Sequence, residues 1–152
     1  MTIIETTQFF EKLLNQTDRR REIKVYKAFI TILTNLKSRD LSEGQLSLIE
    51  SEIKTFKLNS NPKNKRRYYS KMLNNFMQFL KTEFSFISEG YYTAIGMSLG
   101  MCFGVAIGTS FGASGNAMGL ALGMIIGLAI GRYKDMEAEK ENRVLKTKGS
   151  SL

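Results

Sequence analysis

The chain has 152 residues, with 22 lysines and arginines against 14 aspartates and glutamates, a net charge of +8, one cysteine and no histidine. Without histidine it lacks the commonest general base and a common metal ligand, and the lone Cys102 cannot form an intrachain disulfide. No serine–lysine motif or P-loop takes their place, so we predict a protein that is not an enzyme and that uses no metal or cofactor.

Two amphipathic helices are predicted near the start of the chain. The first covers residues 6–15, and the second runs from a cap at Asp18 to about Lys37. Apolar residues recur in both at three- and four-residue steps, the spacing of one helix face. The residues predicted to be buried on these two helices are Phe9, Phe10, Leu13, Leu14, Tyr26, Phe29, Ile30, Leu33 and Leu36.

Two further helices complete a predicted four-helix domain. Ser42 with Gln45 three residues later is the pattern of a capping box, which predicts a third helix to about Lys57. A break at Asn59-Ser60-Asn61-Pro62 precedes a fourth helix over residues 63–88, because proline is tolerated in a first helical turn. The residues predicted to be buried here are Leu46, Ile49, Ile53, Phe56, Tyr69, Met72, Leu73, Phe76, Leu80, Phe84 and Ile87.

The fourth helix leads almost directly into the next segment, since only Ser88, Glu89 and Gly90 separate them. We therefore predict a nearly continuous helical rod, bent at Gly90. Phe79 and Phe86 lie off the apolar stripe of this helix. Two interpretations stay open for them, contact with a second copy of the chain and contact with neighbouring loops or lipid headgroups.

Two basic clusters are candidate contacts for an anionic partner. They comprise Arg19, Arg20 and Arg21 in the first, and Lys63, Lys65, Arg66 and Arg67, followed by two tyrosines, in the second. Such runs are most often solvated faces, although basic residues beside aromatic ones can bind nucleic acid. On an upright fourth helix the second cluster would lie roughly 30–38 Å from the membrane, several Debye lengths away. This favours an acidic protein surface over lipid, with nucleic acid or a nucleotide-type ligand the least favoured.

Residues 90–131 contain no charged side chain and have glycine at every fourth position in two runs. A helix needs only about 20 residues to cross a hydrocarbon core of about 30 Å, so the segment predicts two crossings. The predicted helices cover residues 91–111 and 116–133, with the reversal at residues 112–116. The glycines predicted to pack are Gly96, Gly100, Gly104, Gly108 and Gly112 in the first half and Gly115, Gly119, Gly123, Gly127 and Gly131 in the second.

A second row of small residues lies about 200° around the first of these helices. It consists of Ala94, Ser98, Cys102 and Ala106, which we call the small-residue face. Small residues at four-residue spacing let helix backbones approach closely in lipid. Packing of the hairpin on itself needs only one such face per helix, so the spare face predicts a homo-oligomer with heterologous contacts.

The hairpin resembles the two-helix segment of small bacterial glycine-zipper membrane proteins, and the resemblance covers only residues 90–133. It implies self-association and, further, permeabilisation of the membrane or a pore, as in effectors of the toxin or defence type. The alternative is a non-conducting anchor that clusters a cytoplasmic helical interaction domain. These two functions stay open at the level of the sequence.

The predicted chain is therefore all-α, with a cytoplasmic four-helix domain over residues 1–89, a transmembrane hairpin over residues 90–133 and a cytoplasmic tail over residues 134–152. The domain carries a net charge of +6 and residues 132–152 a net charge of +2, whereas the reversal is uncharged. Positive flanks tend to stay in the cytoplasm, which predicts an inner-membrane protein with both termini cytoplasmic. The tail is predicted to continue the second helix to about Leu145 and then to fray over residues 146–152.

Overall fold

A computed structural model describes residues 1–58, 60 and 62–146, and at Ala113 and Ser114 the backbone alone. The described residues form six α-helices, which are α1 (Ile3–Asn15), α2 (Arg20–Lys37), α3 (Glu43–Thr55), α4 (Lys65–Phe84), α5 (Tyr91–Gly108) and α6 (Gly112–Lys140). Two short strands, β1 (Ile87–Ser88) and β2 (Val144–Leu145), pair with each other. The predicted all-α class is confirmed. The chain divides into two compact units, Met1–Phe86 with Leu145, and Ile87–Val144.

Side-chain caps explain where two helices of the first unit begin. Thr2 and Glu5 form a capping box at α1. At α3 the Gln45 backbone N–H donates to Ser42 Oγ over 3.3 Å, and the Ser42 N–H donates to Gln45 Oε1 over 3.0 Å. The capping box predicted at Ser42 is thus confirmed.

The predicted Asp18 cap is wrong, because α2 begins one residue later than such a cap allows. Its N-terminal flanking residue is Arg19, which makes no side-chain capping hydrogen bond. Glu22 organises this end of the helix instead. Its carboxylate accepts hydrogen bonds from Thr17 Oγ1 over 2.9 Å and from Arg19 Nη1 over 3.3 Å.

Ser42→Ala is expected to lower the free energy of unfolding of the first unit by about 1 kcal/mol, because one backbone N–H of α3 loses its acceptor. Denaturant unfolding of the full chain in detergent, followed by circular dichroism, measures this. Ser47→Ala, in the exposed middle of α3, is the matched control and should leave the midpoint unchanged or raise it slightly. An unchanged midpoint for Ser42→Ala would contradict the capping role.

Aromatic rings from α1, α2 and α4 meet at the centre of the first unit. The rings of Phe10 and Phe29 stack with centroids 4.2 Å apart, and Tyr69 packs edge-on against Phe10 and Tyr26 at 5.6 Å. Most residues predicted to be buried on the four helices of this unit are buried or packed against this core. Leu46 is the exception, since 36% of its surface is exposed, whereas Ile32, which the pattern left out, is fully buried.

Phe86 belongs to this core, so the interpretation that it faces a second copy is wrong. It is 8% exposed and lies under the guanidinium group of Arg39, with 4.7 Å between the guanidinium carbon and the ring centroid. Phe79 is partly buried against the same core. The reason is the end of α4 at Phe84, where Ser85 adopts a left-handed conformation (φ 56°) and redirects the chain.

The predicted continuous rod is also wrong, because β1 and the left-handed Gly90 (φ 73°) interrupt the helix before α5.

The tail differs from its prediction as well. At the end of α6, Asn142 has a left-handed conformation and its backbone N–H donates to the Glu139 carbonyl over 3.0 Å. The backbone N–H of Arg143 donates to the Ala138 carbonyl over 2.9 Å. This is a Schellman motif, which ends the helix and starts β2. The fraying predicted for residues 147–152 lies outside the described residues.

Candidate membrane hairpin

The second unit contains two helices that are long and apolar enough to cross a membrane. They are Tyr91–Phe111, which adds a short 3₁₀ turn to α5, and Gly115–Lys140 within α6. In each, only 11% of the most apolar 18-residue window is buried inside the protein. A core helix of a water-soluble protein would instead be mostly buried, so the exposure of these apolar helices supports a membrane location.

Glycines hold α5 and α6 together through four reciprocal pairs. A Cβ built on either glycine of a pair would overlap the backbone carbonyl oxygen of the other. The pairs are Gly96 with Gly127, Gly100 with Gly123, Gly104 with Gly119, and Gly108 with Gly115. Each Cα–H therefore points at the opposite oxygen, and such contacts contribute roughly 0.5–1 kcal/mol each.

The approach of the backbones leaves no room for a side chain. A Cβ on Gly123 would lie 2.8 Å from Gly104 Cα, and real Cβ atoms essentially never show contacts under 3.0 Å. Glycine in a helix interior costs about 1 kcal/mol relative to alanine. Close packing of two helices in lipid offsets that cost, because little other force draws helices together there.

Two of the ten predicted packing glycines have other surroundings. Gly131 meets the backbone of Tyr92 and Thr93 rather than another glycine. Gly112 has no atom within 4 Å of its ideal Cβ position and has a φ of +76°, so it is a turn residue and not a packing residue. The reversal lies at Thr109–Phe111 and Gly112, earlier than predicted. As a result α6 begins at Gly112, before the predicted start at residue 116, and it ends at Lys140, short of the predicted continuation to about Leu145.

A buried carboxylate joins the two ends of the hairpin. Asp135 is 7% exposed, and its Oδ1 and Oδ2 accept the backbone N–H groups of Tyr92 over 2.9 Å and Thr93 over 2.8 Å. These are free donors of the first turn of α5, which has no side-chain cap of its own. The sequence analysis missed this residue. Asp135 stands four residues after Gly131, so the four-residue period of the glycines could have found it.

The small-residue face takes no part in the hairpin contact. Ala94, Ser98, Cys102 and Ala106 are all exposed. The Ser98 hydroxyl donates within its own helix, to the carbonyl oxygens of Ala94 over 3.1 Å and Ile95 over 2.9 Å. The face is thus flat, weakly polar and free of the intramolecular packing that occupies the glycines.

Most of the remaining hairpin surface is apolar. Large side chains on it are strongly exposed, among them Phe103 at 67% and Ile107 at 64%. A shallow apolar groove of about 490 Å³ runs along one side of the two helices. It is lined by Leu99, Phe103, Ile107, Leu122, Ile126 and Ile130, besides glycines. Exposed apolar surface of this extent requires lipid or protein to cover it.

In the first unit, residues of the two predicted basic clusters line cavities that do not correspond to the clusters. Arg19 from one cluster and Lys63 and Lys65 from the other line a single open cavity of about 520 Å³. Arg20 and Arg21 are exposed and do not line it, and the groove lined by Arg66 and Arg67 is a different one. The cavity also includes Glu22 and Tyr26, which the sequence analysis did not connect with an anionic ligand.

Comparison of the chain with protein-family models, curated proteins and solved structures gives no match. The function is therefore argued from the geometry of the hairpin and of this cavity.

Proposed function

We propose that this chain is an integral membrane protein whose hairpin self-associates and whose assemblies permeabilise the membrane, as an effector of the toxin or defence type. The observation that carries the proposal is the division of surfaces on α5. The glycine row is occupied by α6, whereas the small-residue face on the other side of the same helix is exposed. The resemblance to glycine-zipper membrane proteins agrees with it.

A second copy of the hairpin fits the small-residue face better than lipid does. A helix that meets only acyl chains has no need of Ala94, Ser98, Cys102 and Ala106 in register, since large apolar side chains would serve equally well there. Small residues in a row let a neighbouring helix approach closely. In a heterologous contact, the small-residue face of one copy meets a different surface of the next copy. Such a contact repeats from copy to copy and can close into a ring.

The proposed topology follows from charge. The bilayer surrounds residues 90–133, while the four-helix domain over residues 1–89 and the tail over residues 134–152 stay in the cytoplasm. Residues 1–89 carry a net charge of +6 and residues 132–152 a net charge of +2. An acidic protein surface is a further candidate partner of the basic domain. The membrane is the inner membrane of a bacterial cell.

The hydroxyl groups of the hairpin restrict the kind of pore. Ser98 donates to carbonyl oxygens of its own helix, and Thr109 Oγ1 donates to the Ala106 carbonyl over 2.7 Å. They therefore need no water as a partner. A narrow or dewetting pathway suits such a surface better than a wide hydrated channel.

Dye release from liposomes at rising protein density tests the proposal. Wild type is expected to release dye more steeply than in proportion to its density, because assembly precedes leakage. Gly104→Leu and Gly123→Leu, and Ser98→Leu with Cys102→Leu on the small-residue face, should each need at least about tenfold more protein. Val105→Phe adds bulk at an exposed position outside both faces and serves as the matched control.

Chemical cross-linking on the same liposomes separates the two functions. Oligomers with leakage support the proposal, and oligomers without leakage at any density support the alternative, an anchor that clusters the cytoplasmic domain. Wild type that cross-links only as a monomer would overturn self-association and, with it, both functions.

A further inference from the structure

The cavity between the start of α2 and the start of α4, which we call the basic cavity, has the composition of an anion site. Its wall includes three cations, Arg19, Lys63 and Lys65, and a single carboxylate, Glu22. That carboxylate is already engaged, because it accepts from Arg19 Nη1 over 3.3 Å and from Thr17 Oγ1 over 2.9 Å. Within the described part of the chain, no ion pair involves Lys63 or Lys65.

A buried hydroxyl in the wall of the same cavity lacks a partner. Tyr26 is 1% exposed, and its hydroxyl is the one fully buried side-chain oxygen or nitrogen among the described residues that makes no hydrogen bond. A buried polar group left unpaired in this way destabilises the fold. A small shift of the cavity wall would let a ligand oxygen accept a hydrogen bond from the hydroxyl and remove this destabilisation.

The Tyr26 hydroxyl is suited to donate and not to carry charge. Burial, followed by the nearby Glu22 carboxylate, raises the pKa of Tyr26 from 10.0 to about 12. The phenol therefore keeps its proton at all physiological pH values. A neutral phenol in a cavity that is also lined by two lysines without an ion pair to any residue that the structure describes is complementary to an oxyanion.

We propose that the basic cavity binds a phosphate group of a small organic molecule, with Lys63 and Lys65 as the charge partners and the Tyr26 hydroxyl as a hydrogen-bond donor. The volume of about 520 Å³ lies within the usual range of ligand pockets, roughly 300–1,000 Å³, and exceeds what inorganic phosphate needs. Leu13 and Pro62 in the wall offer apolar surface for the organic part. The site does not depend on self-association of the hairpin. Soluble phosphate esters and phosphate-bearing lipid headgroups share this chemistry.

Calorimetric titration of the full chain in a neutral detergent with sodium pyrophosphate, against sodium chloride at equal ionic strength, tests the site. Saturable binding of one pyrophosphate per chain is expected. Tyr26→Phe and the pair Lys63→Gln with Lys65→Gln should each weaken it about tenfold or more. Arg66→Gln with Arg67→Gln removes the same charge from neighbouring positions that line a different groove, and it should weaken binding less than about twofold.

A melting curve keeps this test independent of folding. Because the Tyr26 hydroxyl has no partner, Tyr26→Phe without ligand should melt at or above the wild-type temperature. A second titration uses nanodiscs of phosphatidylcholine with and without phosphatidic acid. Binding of free pyrophosphate assigns the site to a soluble ligand, and binding only to phosphatidic acid assigns it to a lipid headgroup. In either case Tyr26→Phe must weaken the observed binding, and undiminished binding by this variant would overturn the proposal. No saturable binding in both titrations, or equal weakening by both double variants, would overturn the proposal.

Discussion

Gly123→Leu is expected to separate α5 from α6 while leaving each of them helical. A Cβ at this position would overlap the Gly100 carbonyl oxygen and lie 2.8 Å from Gly104 Cα. Both obstacles are backbone atoms, which cannot rotate away as a side chain does, so the helices must move apart along the whole row. We expect a loss of about 3 kcal/mol or more in hairpin stability, at the upper end of overpacking effects.

Pulsed electron resonance between spin labels at positions 94 and 129 measures the separation. These positions lie on opposite helices, and both alanines are exposed. Labels are introduced in a Cys102→Ser background, and excess unlabelled protein removes distances between molecules. Wild type should give one short, narrow distance and Gly123→Leu a longer and broader distribution.

Ala121→Leu supplies the control for the same helix. It adds a similar volume two residues earlier, on an exposed surface of α6, and should keep the wild-type distance. Circular dichroism should show equal helix content in all three proteins. An unchanged distance in Gly123→Leu would mean that the glycine row does not hold the hairpin together.

The glycine spacing contains most of the information about the hairpin, because two backbones in contact leave only hydrogen in the interface. Once the structure pairs Gly108 with Gly115, the antiparallel helices place Gly104 against Gly119, four residues further along each helix. Gly112 shows the limit of this reasoning. It continues the period of four but takes a positive φ. The backbone conformation of a residue at a reversal depends on how the flanking helices align, and the spacing of glycines alone does not specify that alignment.

The first unit shows the same division between local and tertiary information. The Ser42 capping box is an interaction over three residues, so it could be predicted from the sequence. Phe86 could not be placed in this way, since a left-handed Ser85 turns it into the core instead of continuing the helix. The basic cavity depends on the start of α2 meeting the start of α4, which no local pattern of charges indicates.

Asp135→Ala is expected to be the most damaging change to the hairpin outside its glycines. Its carboxylate accepts hydrogen bonds from the backbone N–H groups of Tyr92 and Thr93 on the other helix of the hairpin. One side chain thus joins α6 to α5 and satisfies the first turn of α5. An anionic group also interacts favourably with a helix N-terminus. Removal leaves two donors without an acceptor beside the apolar segment, and we expect a loss of about 2–3 kcal/mol.

Titration with sodium dodecyl sulfate from mild detergent micelles, with the same label pair as readout, measures this loss. Asp135→Asn retains one carbonyl acceptor and should fall between wild type and Asp135→Ala. Glu137→Ala is the matched control, because it removes an acidic side chain two residues away whose ion pair with Lys134, 2.8 Å long, is exposed and screened by solvent. If Asp135→Ala and Glu137→Ala shifted the midpoint equally, the general loss of negative charge, and not the bonds to α5, would be the cause. A larger shift for Asp135→Ala would instead assign the loss to the bonds that its carboxylate accepts from Tyr92 and Thr93, at the end of the row of glycines that holds the two helices together.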